Sequence, residues 1–421
     1  MQSLEEFKHA TKPSAGEVLA YMKNALVKSM RLISIWLVEI IVLLIVINFV
    51  SMGILHLLDN SEEVCLSGGS QKDLSSTRKQ YRYRLPNYTN KERAKLHFQE
   101  LLQLKSEYRP FVGWSLIEFF GETINIDASG DRVHEHRLPS HLKGPSGVVR
   151  FFGGSSMWGV GVVDANTIPA LFNRLNPEME VHNHGEFSFN SRQELARLIN
   201  LIAEGQEIGT VVFYDGVNEV AVHCRGDTGT LGHNRENQIR TRIKEHPELV
   251  RKLRMKELPY LDALWRVFLS DTAKLINILV NAAIGRAEAA LPENHWVCDI
   301  QPEKAKKVAE NLLRNWETAH AVVTGLGHRF YALLQPVSYI GDPATDHITE
   351  EMGYYGPELR AQYETVYPLI VKLIEQRGHD WIRIATDLFD EDEYFYIDFS
   401  HVTRNGNEKV ASFINEMIHK K

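Results

Sequence analysis

The chain has 421 residues, of which 44% are hydrophobic and 24% charged, and its formal net charge is −7. This is the composition of a folded protein, long enough for one large domain or two ordinary ones. Because no basic excess is present, a general role in binding nucleic acid is disfavoured, and we expect no nucleic-acid partner.

A long apolar run occupies residues 32–58, in which only Glu39 and His56 can ionise. A helix of about 20 apolar residues crosses the hydrocarbon core of a bilayer. The run is too long for a signal-peptide core and lacks a small-x-small cleavage site, so we expect a retained single-pass transmembrane helix. Basic residues precede it and acidic residues follow it. The positive-inside rule therefore predicts a cytoplasmic segment over residues 1–31 and a periplasmic or extracellular location for residues 59–421.

Glu39 lies in the cytoplasmic third of this predicted helix. A carboxylate is costly at most membrane depths, and two interpretations stay open. In one, Glu39 faces a helix of a membrane-protein partner. In the other, its side chain extends to the nearby interface beside Trp36.

The pattern after the apolar run changes at residue 108. Residues 59–107 are polar and then helical in pattern, which we interpret as a stalk. From residue 108 to 421, short strand patterns alternate with amphipathic helices, which predicts an α/β domain with a mainly parallel sheet covered by helices on both faces. Ligands of such folds bind beyond the carboxyl ends of the strands. The predicted strands are 148–152, 179–184, 210–214, 329–335 and 381–389.

Helix signals lie between these strands. Ser191 followed by Glu194 has the spacing of a capping box, so a helix should begin there. Another helix is predicted over about residues 303–324, because apolar residues recur on one face and Gly325 follows. A third should begin near Thr167.

A serine follows two glycines directly after the strand at 148–152. Gly153 and Gly154 allow the backbone to turn sharply and leave Ser155 exposed at the end of the sheet, where a serine is placed to act as a nucleophile. Taken alone, Gly-Gly-Ser-Ser is also an ordinary loop, and Ser156 is a minor rival to Ser155.

Three further features complete this edge of the predicted sheet. Gly185 and Asn218 follow the next two strands, where a backbone N–H and an amide aimed at one point would stabilise an oxyanion. Each of them alone is more typical of a turn. Near the C-terminus, Asp398 stands three residues before His401. One short turn can therefore supply a general base and the carboxylate that fixes its tautomer.

Taken in order, these features resemble the four sequence blocks of the SGNH hydrolase (GDSL-like esterase/lipase) superfamily, over roughly residues 108–421. The name-giving Gly-Asp-Ser-Leu is here Gly-Gly-Ser-Ser, which is similar to a membrane-anchored branch of that superfamily. The resemblance implies a three-layer, flavodoxin-like α/β fold. The implied catalytic triad is Ser155, Asp398 and His401, and the implied oxyanion hole consists of the backbone N–H groups of Ser155 and Gly185 with the side-chain amide of Asn218.

The function that these residues predict is that of a membrane-anchored serine ester hydrolase acting on acylated cell-envelope glycan or lipid. An O-acyltransferase would use the same acyl-enzyme and differ only in what attacks it. A non-catalytic subunit of a membrane assembly could also keep the fold. We expect no cofactor and no metal, because the cluster His134, His136 and His141 lacks the spacing of metal ligands.

A helical insertion over about residues 222–302 separates the Asn218 block from the next core helix. We favour packing of this insertion on the domain, with a lid or a membrane-facing platform as the alternative. Charged residues within 260–285 argue against a second transmembrane pass. In an oxidising compartment Cys224 and Cys298 could pair, and reduced thiols are an equally good interpretation.

Overall fold

A computed structural model describes residues 15–66, 82–133, 147–226, 228–236, 239, 272, 275–276, 295–348 and 356–420. The chain divides into two compact units. One contains residues 1–68 and 246–290, and the other contains residues 69–245 and 291–421. The histidine cluster at 134–141 and most of the predicted insertion lie outside the described residues.

The first unit is built on one long helix, α1 (Ala15–Leu66). Within it, Leu26–Ile54 is long and apolar enough to cross a membrane. Glu39 is exposed on α1, like most of its described neighbours. Contact with a partner helix is therefore sterically open to it and stays a prediction.

Asn48 and Ser51 are buried on α1. The backbone N–H of Thr272 donates to Asn48 Oδ1 at 3.2 Å, and the Ser51 hydroxyl donates to Thr272 Oγ1 at 3.4 Å. Thr272 belongs to the predicted insertion. At this residue the insertion packs against α1, and packing of the insertion on the domain stays a prediction. Two polar side chains on α1 give Thr272 hydrogen-bond partners that an apolar helix face would lack.

The second unit begins with short elements that precede the sheet. A 3₁₀ turn (Arg82–Arg84) and helix α2 (Lys91–Leu101) are followed by two antiparallel hairpins. The strands of the hairpins are β1 (Ser106–Arg109) with β2 (Gly113–Leu116), and β3 (Phe119–Phe120) with β4 (Asn125–Ile126).

Residues 82–107 are not a stalk, although the sequence pattern suggests one. Leu85 and Phe98 are buried in a small core with Ile397. The Glu100 carboxylate accepts hydrogen bonds from the backbone N–H groups of residues 122, 123 and 124. The polar surface of this segment hides an apolar face that the domain covers, so the stalk boundary predicted at residue 107 is too late.

A five-stranded parallel sheet forms the centre of the second unit, in the order β6-β5-β7-β8-β9. Read along the chain this is the order 2-1-3-4-5, which is the flavodoxin-like arrangement. The strands are β5 (Val148–Gly153), β6 (Glu180–Asn183), β7 (Thr210–Asp215), β8 (Arg329–Leu334) and β9 (Ile382–Ile384). The predicted strand at 381–389 is thus only three residues long.

Helices cover both faces of the sheet. The helices are α3 (Ser155–Trp158), α4 (Ile168–Leu175), α5 (Ser191–Ala203), α6 (Val217–His223), α7 (Pro302–Gly325), α8 (Gly356–Arg377) and α9 (Arg404–His419). Helices α5 to α8 share one apolar core with Phe152, whereas α4 and α9 share the other with Phe151. Because successive strand residues point to opposite faces, adjacent phenylalanines serve separate cores. The predicted three-layer α/β fold is confirmed.

One helix start differs from its prediction. Asn190, not Ser191, caps α5, because its Oδ1 accepts hydrogen bonds from the N–H groups of Arg192 and Gln193, each at 3.1 Å. Ser191 is the first helical residue. Glu194 is fully buried and makes no capping box.

Candidate active site

The topology fixes where a site can form. The chain order reverses between the neighbouring strands β5 and β7, and open α/β sheets bind ligands at such a switch point. Strand β5 leads to α3, which begins with Ser155, and β7 leads to α6, in which Asn218 is the second residue. Both side chains line the same pocket.

Gly154 is required by the approach of Asn218. A Cβ on residue 154 would stand 2.1 Å from Asn218 Nδ2, so only glycine fits between β5 and α3 in this arrangement. The predicted sharp turn is present, and its cause is this close approach as well as the backbone freedom of glycine.

Ser155, His401 and Asp398 form one continuous hydrogen-bonded chain. His401 Nε2 lies 2.7 Å from Ser155 Oγ, and His401 Nδ1 lies 2.7 Å from Asp398 Oδ2. Because an ionised carboxylate only accepts hydrogen bonds, the Nδ1–H donates to Asp398 and leaves Nε2 as an acceptor for the serine hydroxyl. This is the arrangement in which an imidazole can take a proton from serine.

The Asp-x-x-His turn holds its own carboxylate in place. Asp398 Oδ1 accepts hydrogen bonds from the backbone N–H groups of Ser400, at 2.9 Å, and His401, at 2.8 Å. Oδ2 is thereby directed to the imidazole. A three-residue spacing is short enough for the aspartate to bind both the backbone and the side chain of His401.

The hydroxyl of Ser156 is engaged elsewhere. It donates to the carbonyl oxygen of Ser400 at 3.2 Å and accepts from Gln335 Nε2 at 2.7 Å. The imidazole of His401 contacts Ser155 instead. Of the two adjacent serines, Ser155 therefore has the position of a nucleophile, and Ser156 ties α3 to the turn that carries His401.

Arg82 is a member of this site that the sequence analysis missed. Its Nη1 lies 2.5 Å from Asp398 Oδ2, and the side chains are 3% and 1% exposed. Burial alone would raise the pKa of Asp398, but Arg82 and then His401 outweigh it and hold this pKa below its usual range. Arg82 belongs to a basic cluster in the predicted stalk, and no local pattern pointed from it to the site.

The three predicted oxyanion donors are not all brought together. Ser155 N–H lies in the first turn of α3, where a helix offers it no carbonyl partner. Asn218 Nδ2 donates one proton to the Phe189 carbonyl at 2.6 Å and carries a second. The backbone N–H of Gly185, however, donates to Asn183 Oδ1 at 3.0 Å.

Gly185 packs behind Ser155 instead. A Cβ on residue 185 would stand 2.4 Å from the backbone nitrogen of Trp158, at the end of α3. The glycine is needed for this close packing, and its N–H is already bonded. The prediction that Gly185 donates to the oxyanion is therefore not met in this structure.

The pocket above Ser155 has a volume of about 410 Å³. Leu101, Val160 and Phe187 give it apolar walls, and Trp296 and Arg225 also line it. The Arg225 guanidinium lies 5.4 Å from the centre of the Trp296 ring. The pocket therefore combines apolar surface with an aromatic and a cationic group.

A disulfide between Cys224 and Cys298 joins the two ends of the insertion beside this pocket. The backbone adds two hydrogen bonds, from Val297 N–H to the Cys224 carbonyl at 2.9 Å and from Gly226 N–H to the His295 carbonyl at 3.0 Å. Of the two interpretations left open by the sequence, the disulfide is the one observed. It fixes Arg225, which follows Cys224, and Trp296, which lies two residues before Cys298.

Asp131, His182 and His184 offer ligand atoms that lie within 4.8 Å of one another, outside this pocket. Two arginines already contact these three side chains. Arg197 is ion-paired with Asp131, and Arg150 Nη1 lies 3.1 Å from His184 Nε2. Burial lowers the pKa of His184, which also bonds Asp131 through Nδ1. These contacts are those of a buried structural network.

No protein-family model matches the chain, and no curated protein matches it. Solved structures similar to it include a lipolytic protein of the G-D-S-L family from Desulfitobacterium hafniense (11% identity, 64% of this chain and 98% of that chain, TM-score 0.33). A carbohydrate acetylesterase from Sinorhizobium meliloti has 12% identity over 65% and 98%, with a TM-score of 0.34. An acetylxylan esterase from Geobacillus stearothermophilus has 12% identity over 66% and 97%, with a TM-score of 0.33. At these identities and TM-scores the likeness shows neither substrate nor mechanism.

The strand order and the position of the blocks are observations on this chain itself. The serine, asparagine and Asp-x-x-His blocks meet at the carboxyl edge of a 2-1-3-4-5 sheet, and the glycine block packs directly behind the serine. The strand order and the positions of these blocks are those that the sequence resemblance to the SGNH hydrolase superfamily implies.

Proposed function

We propose that this chain is a serine esterase in which Ser155 is the nucleophile, His401 the general base and Asp398 the group that orients His401. The observation that carries the proposal is the chain of two 2.7 Å hydrogen bonds from Ser155 Oγ through the imidazole to Asp398 Oδ2. A binding module would have no need of a buried carboxylate aligned in this way.

The reaction proceeds through an acyl-enzyme. Ser155 Oγ attacks the ester carbonyl while His401 Nε2 takes its proton, and the imidazolium is stabilised by Asp398. His401 then returns the proton to the leaving alkoxide as the ester C–O bond breaks. Water, deprotonated by the same imidazole, attacks the acyl group, releases the carboxylic acid and restores Ser155.

The negative charge on the tetrahedral intermediate needs donors in place before the reaction. The Ser155 N–H and the second proton of Asn218 Nδ2 are the proposed donors. Because the first Asn218 proton is bonded to the Phe189 carbonyl, the amide plane is fixed without using the catalytic proton.

We propose that the enzyme is anchored by the helix Leu26–Ile54, with its hydrolase domain on the periplasmic or extracellular side. The basic residues before the helix support this orientation. The disulfide between Cys224 and Cys298 gives separate support, because disulfides persist in oxidising compartments.

The proposed substrates are acylated glycans or lipids of the cell envelope. The apolar walls of the pocket suit an acyl group, and Trp296 with Arg225 offers an aromatic and cationic surface to a hydroxylated or anionic ring. We also propose that Glu39 faces a membrane-protein partner, which in the acyltransferase alternative would supply the acyl donor.

The test is fluorophosphonate labelling of the full chain in detergent, together with turnover of a chromogenic acetyl ester. We expect both signals in the wild type and in Ser156→Ala, and neither in Ser155→Ala. Loss of labelling in Ser156→Ala alone would move the nucleophile to Ser156. A folded wild type that gives neither signal would refute the esterase and favour a binding subunit.

Hydrolysis and acyl transfer share the acyl-enzyme, so they separate only by what consumes it. Adding a mono- or oligosaccharide acceptor to the acetyl-ester assay distinguishes them. A hydrolase gives acetate at an unchanged yield. Acetylated sugar formed at the expense of acetate would identify a transferase with the same triad.

A further inference from the structure

We propose that Arg82 is a positioning residue of the active site, and that residues 82–101 are a working part of this site rather than a link to α1. The proposal rests on the esterase mechanism given above. It assigns a role to a segment that lies before all four sequence blocks.

The contact itself is specific. Arg82 Nη1 and His401 Nδ1 both lie against the same oxygen, Asp398 Oδ2, at 2.5 and 2.7 Å. Oδ1 is bonded to two backbone N–H groups and to the Ser400 hydroxyl, so both oxygens of the carboxylate are held. Arg82 therefore fixes the carboxylate on the side that faces the imidazole.

The ion pair between Arg82 and Asp398 matters because both side chains are buried. Arg82 and Asp398 are 3% and 1% exposed, and a charge taken out of water is costly unless it is paired. Without the guanidinium, a buried Asp398 would lose the cation with which its charge is paired. A neutral Asp398 would no longer accept the Nδ1–H in the way that the base requires.

The segment around Arg82 also holds the backbone of the Asp398 loop. Asn87 Nδ2 donates to the carbonyl oxygens of Tyr394, at 3.1 Å, and Tyr396, at 2.8 Å. Leu85 and Phe98 bury Ile397, the residue before Asp398. The loop that carries the base is thus bound on two sides by residues of the predicted stalk.

The same segment reaches the loop that follows Ser155. Tyr88 Oη donates to the Gly161 carbonyl at 2.9 Å, and His97 Nε2 accepts from the Gly161 N–H at 3.0 Å. Both halves of the triad, far apart in sequence, are therefore braced by one continuous piece of chain. This is what distinguishes residues 82–101 from a tether.

The electrostatic consequence has a definite sign. Arg82 is the largest influence that opposes burial and lowers the pKa of Asp398, so its removal raises that pKa. The acid limb of kcat/KM should then move to higher pH, because Asp398 becomes protonated at pH values where the wild type keeps it ionised. A residue that only stabilised the fold would not move this limb.

The experiment compares the full-length wild type, Arg82→Met and Arg82→Lys, with Arg84→Met as the matched control. Arg84 is exposed, two residues away, and loses the same charge. We expect Arg82→Met to lower kcat roughly tenfold or more at little change in KM and to move the acid limb upward. Arg82→Lys should be intermediate, guanidinium ion should restore part of the activity of Arg82→Met, and Arg84→Met should behave as wild type.

Wild-type kcat and an unmoved acid limb in Arg82→Met would overturn the inference while leaving the esterase standing. An equal loss in both Arg82 variants with an unmoved limb would also overturn it, in favour of a structural role. Should Arg82→Met not fold, Arg82→Lys decides: lowered kcat at unchanged KM supports positioning, and full activity refutes it. An inactive, unlabelled wild type would refute the proposed function itself.

Discussion

Gly154 and Asn218 stand so close that the residue before the proposed nucleophile has no room for a side chain: a Cβ there would lie 2.1 Å from Asn218 Nδ2. The amide cannot retreat without losing its 2.6 Å hydrogen bond to the Phe189 carbonyl. One contact therefore sets both the turn that exposes Ser155 and the position of the amide that would receive the oxyanion. A substitution at either residue should displace the other.

Gly154→Ala should lower kcat by about 100-fold, because the new methyl group displaces the Asn218 amide, and loss of one oxyanion donor typically costs this much or more. The measurement is turnover of a chromogenic acetyl ester beside thermal unfolding. Gly226→Ala is the matched control, since a Cβ there meets its nearest atom at 3.5 Å. Wild-type kcat in a folded Gly154→Ala would contradict the close approach.

Asn218→Ala should lower kcat by roughly 100- to 1,000-fold with KM little changed, because an oxyanion donor acts on the transition state. Asn218→Asp keeps the shape but replaces the donor with an acceptor, so we expect at least the same loss. Steady-state kinetics of both variants checks this. A kcat within threefold of wild type in Asn218→Ala would remove Asn218 from the oxyanion hole.

Replacing Cys224 and Cys298 together with alanine should lower the free energy of unfolding by about 2–5 kcal/mol, the usual cost of losing a native disulfide. It should also raise KM more than it lowers kcat, since Arg225 and Trp296 lose their fixed positions at the pocket wall. Thermal unfolding with and without reductant, with Cys65→Ala as control, measures the first effect. We expect reductant to lower the unfolding temperature of Cys65→Ala and to leave that of the double variant unchanged.

Glu186 should make stability fall as pH rises. Burial raises its pKa to about 7, with Arg197 opposing the shift, against an ordinary value of 4.5. Because the folded state binds this proton more tightly, stability is greatest below pH 4.5 and declines as pH rises through 7. We expect thermal unfolding from pH 5 to 8 to show that the unfolding temperature of Glu186→Gln rises relative to that of the wild type as pH increases.

Only the pH dependence of that comparison is diagnostic. The Glu186 carboxylate accepts hydrogen bonds from the N–H groups of Leu116 and Phe187, and glutamine keeps one acceptor oxygen, so a constant loss of stability is expected as well. Exposed Glu122→Gln, which also removes one carboxylate, is the control for the change in net charge. A constant difference between Glu186→Gln and wild type would contradict the raised pKa.

The resemblance to the SGNH hydrolase superfamily implies that Ser155, Asp398 and His401 meet, since the order of its blocks assigns each residue to the shared carboxyl edge of parallel strands. Taken alone, the serine and Asp-x-x-His patterns do not establish this meeting. The sequence also does not single out Asn190, which is followed directly by a serine that is equally suited to cap a helix; the backbone of the preceding loop decides between them.

Arg82 shows more clearly what cannot be predicted from the sequence. An ion pair between two residues this far apart leaves no periodicity, and a basic cluster between an apolar helix and a domain is ordinarily solvated. Gly185 shows a different limit. Its neighbour Asn183 competes for the same N–H, and only the packing of Gly185 against α3 reveals which partner it takes.

The disulfide between Cys224 and Cys298 bears on which sequence changes could alter the pocket. The chain leaves and re-enters the domain at two residues whose Cα atoms are 5.1 Å apart, so the two ends of the insertion are held together whatever the length of the chain between them. Of the described residues between the two cysteines, Arg225 and Trp296 line the pocket. Substitutions at Arg225 or Trp296 would therefore change what the pocket accepts while the disulfide still fixes where the chain leaves and re-enters the domain.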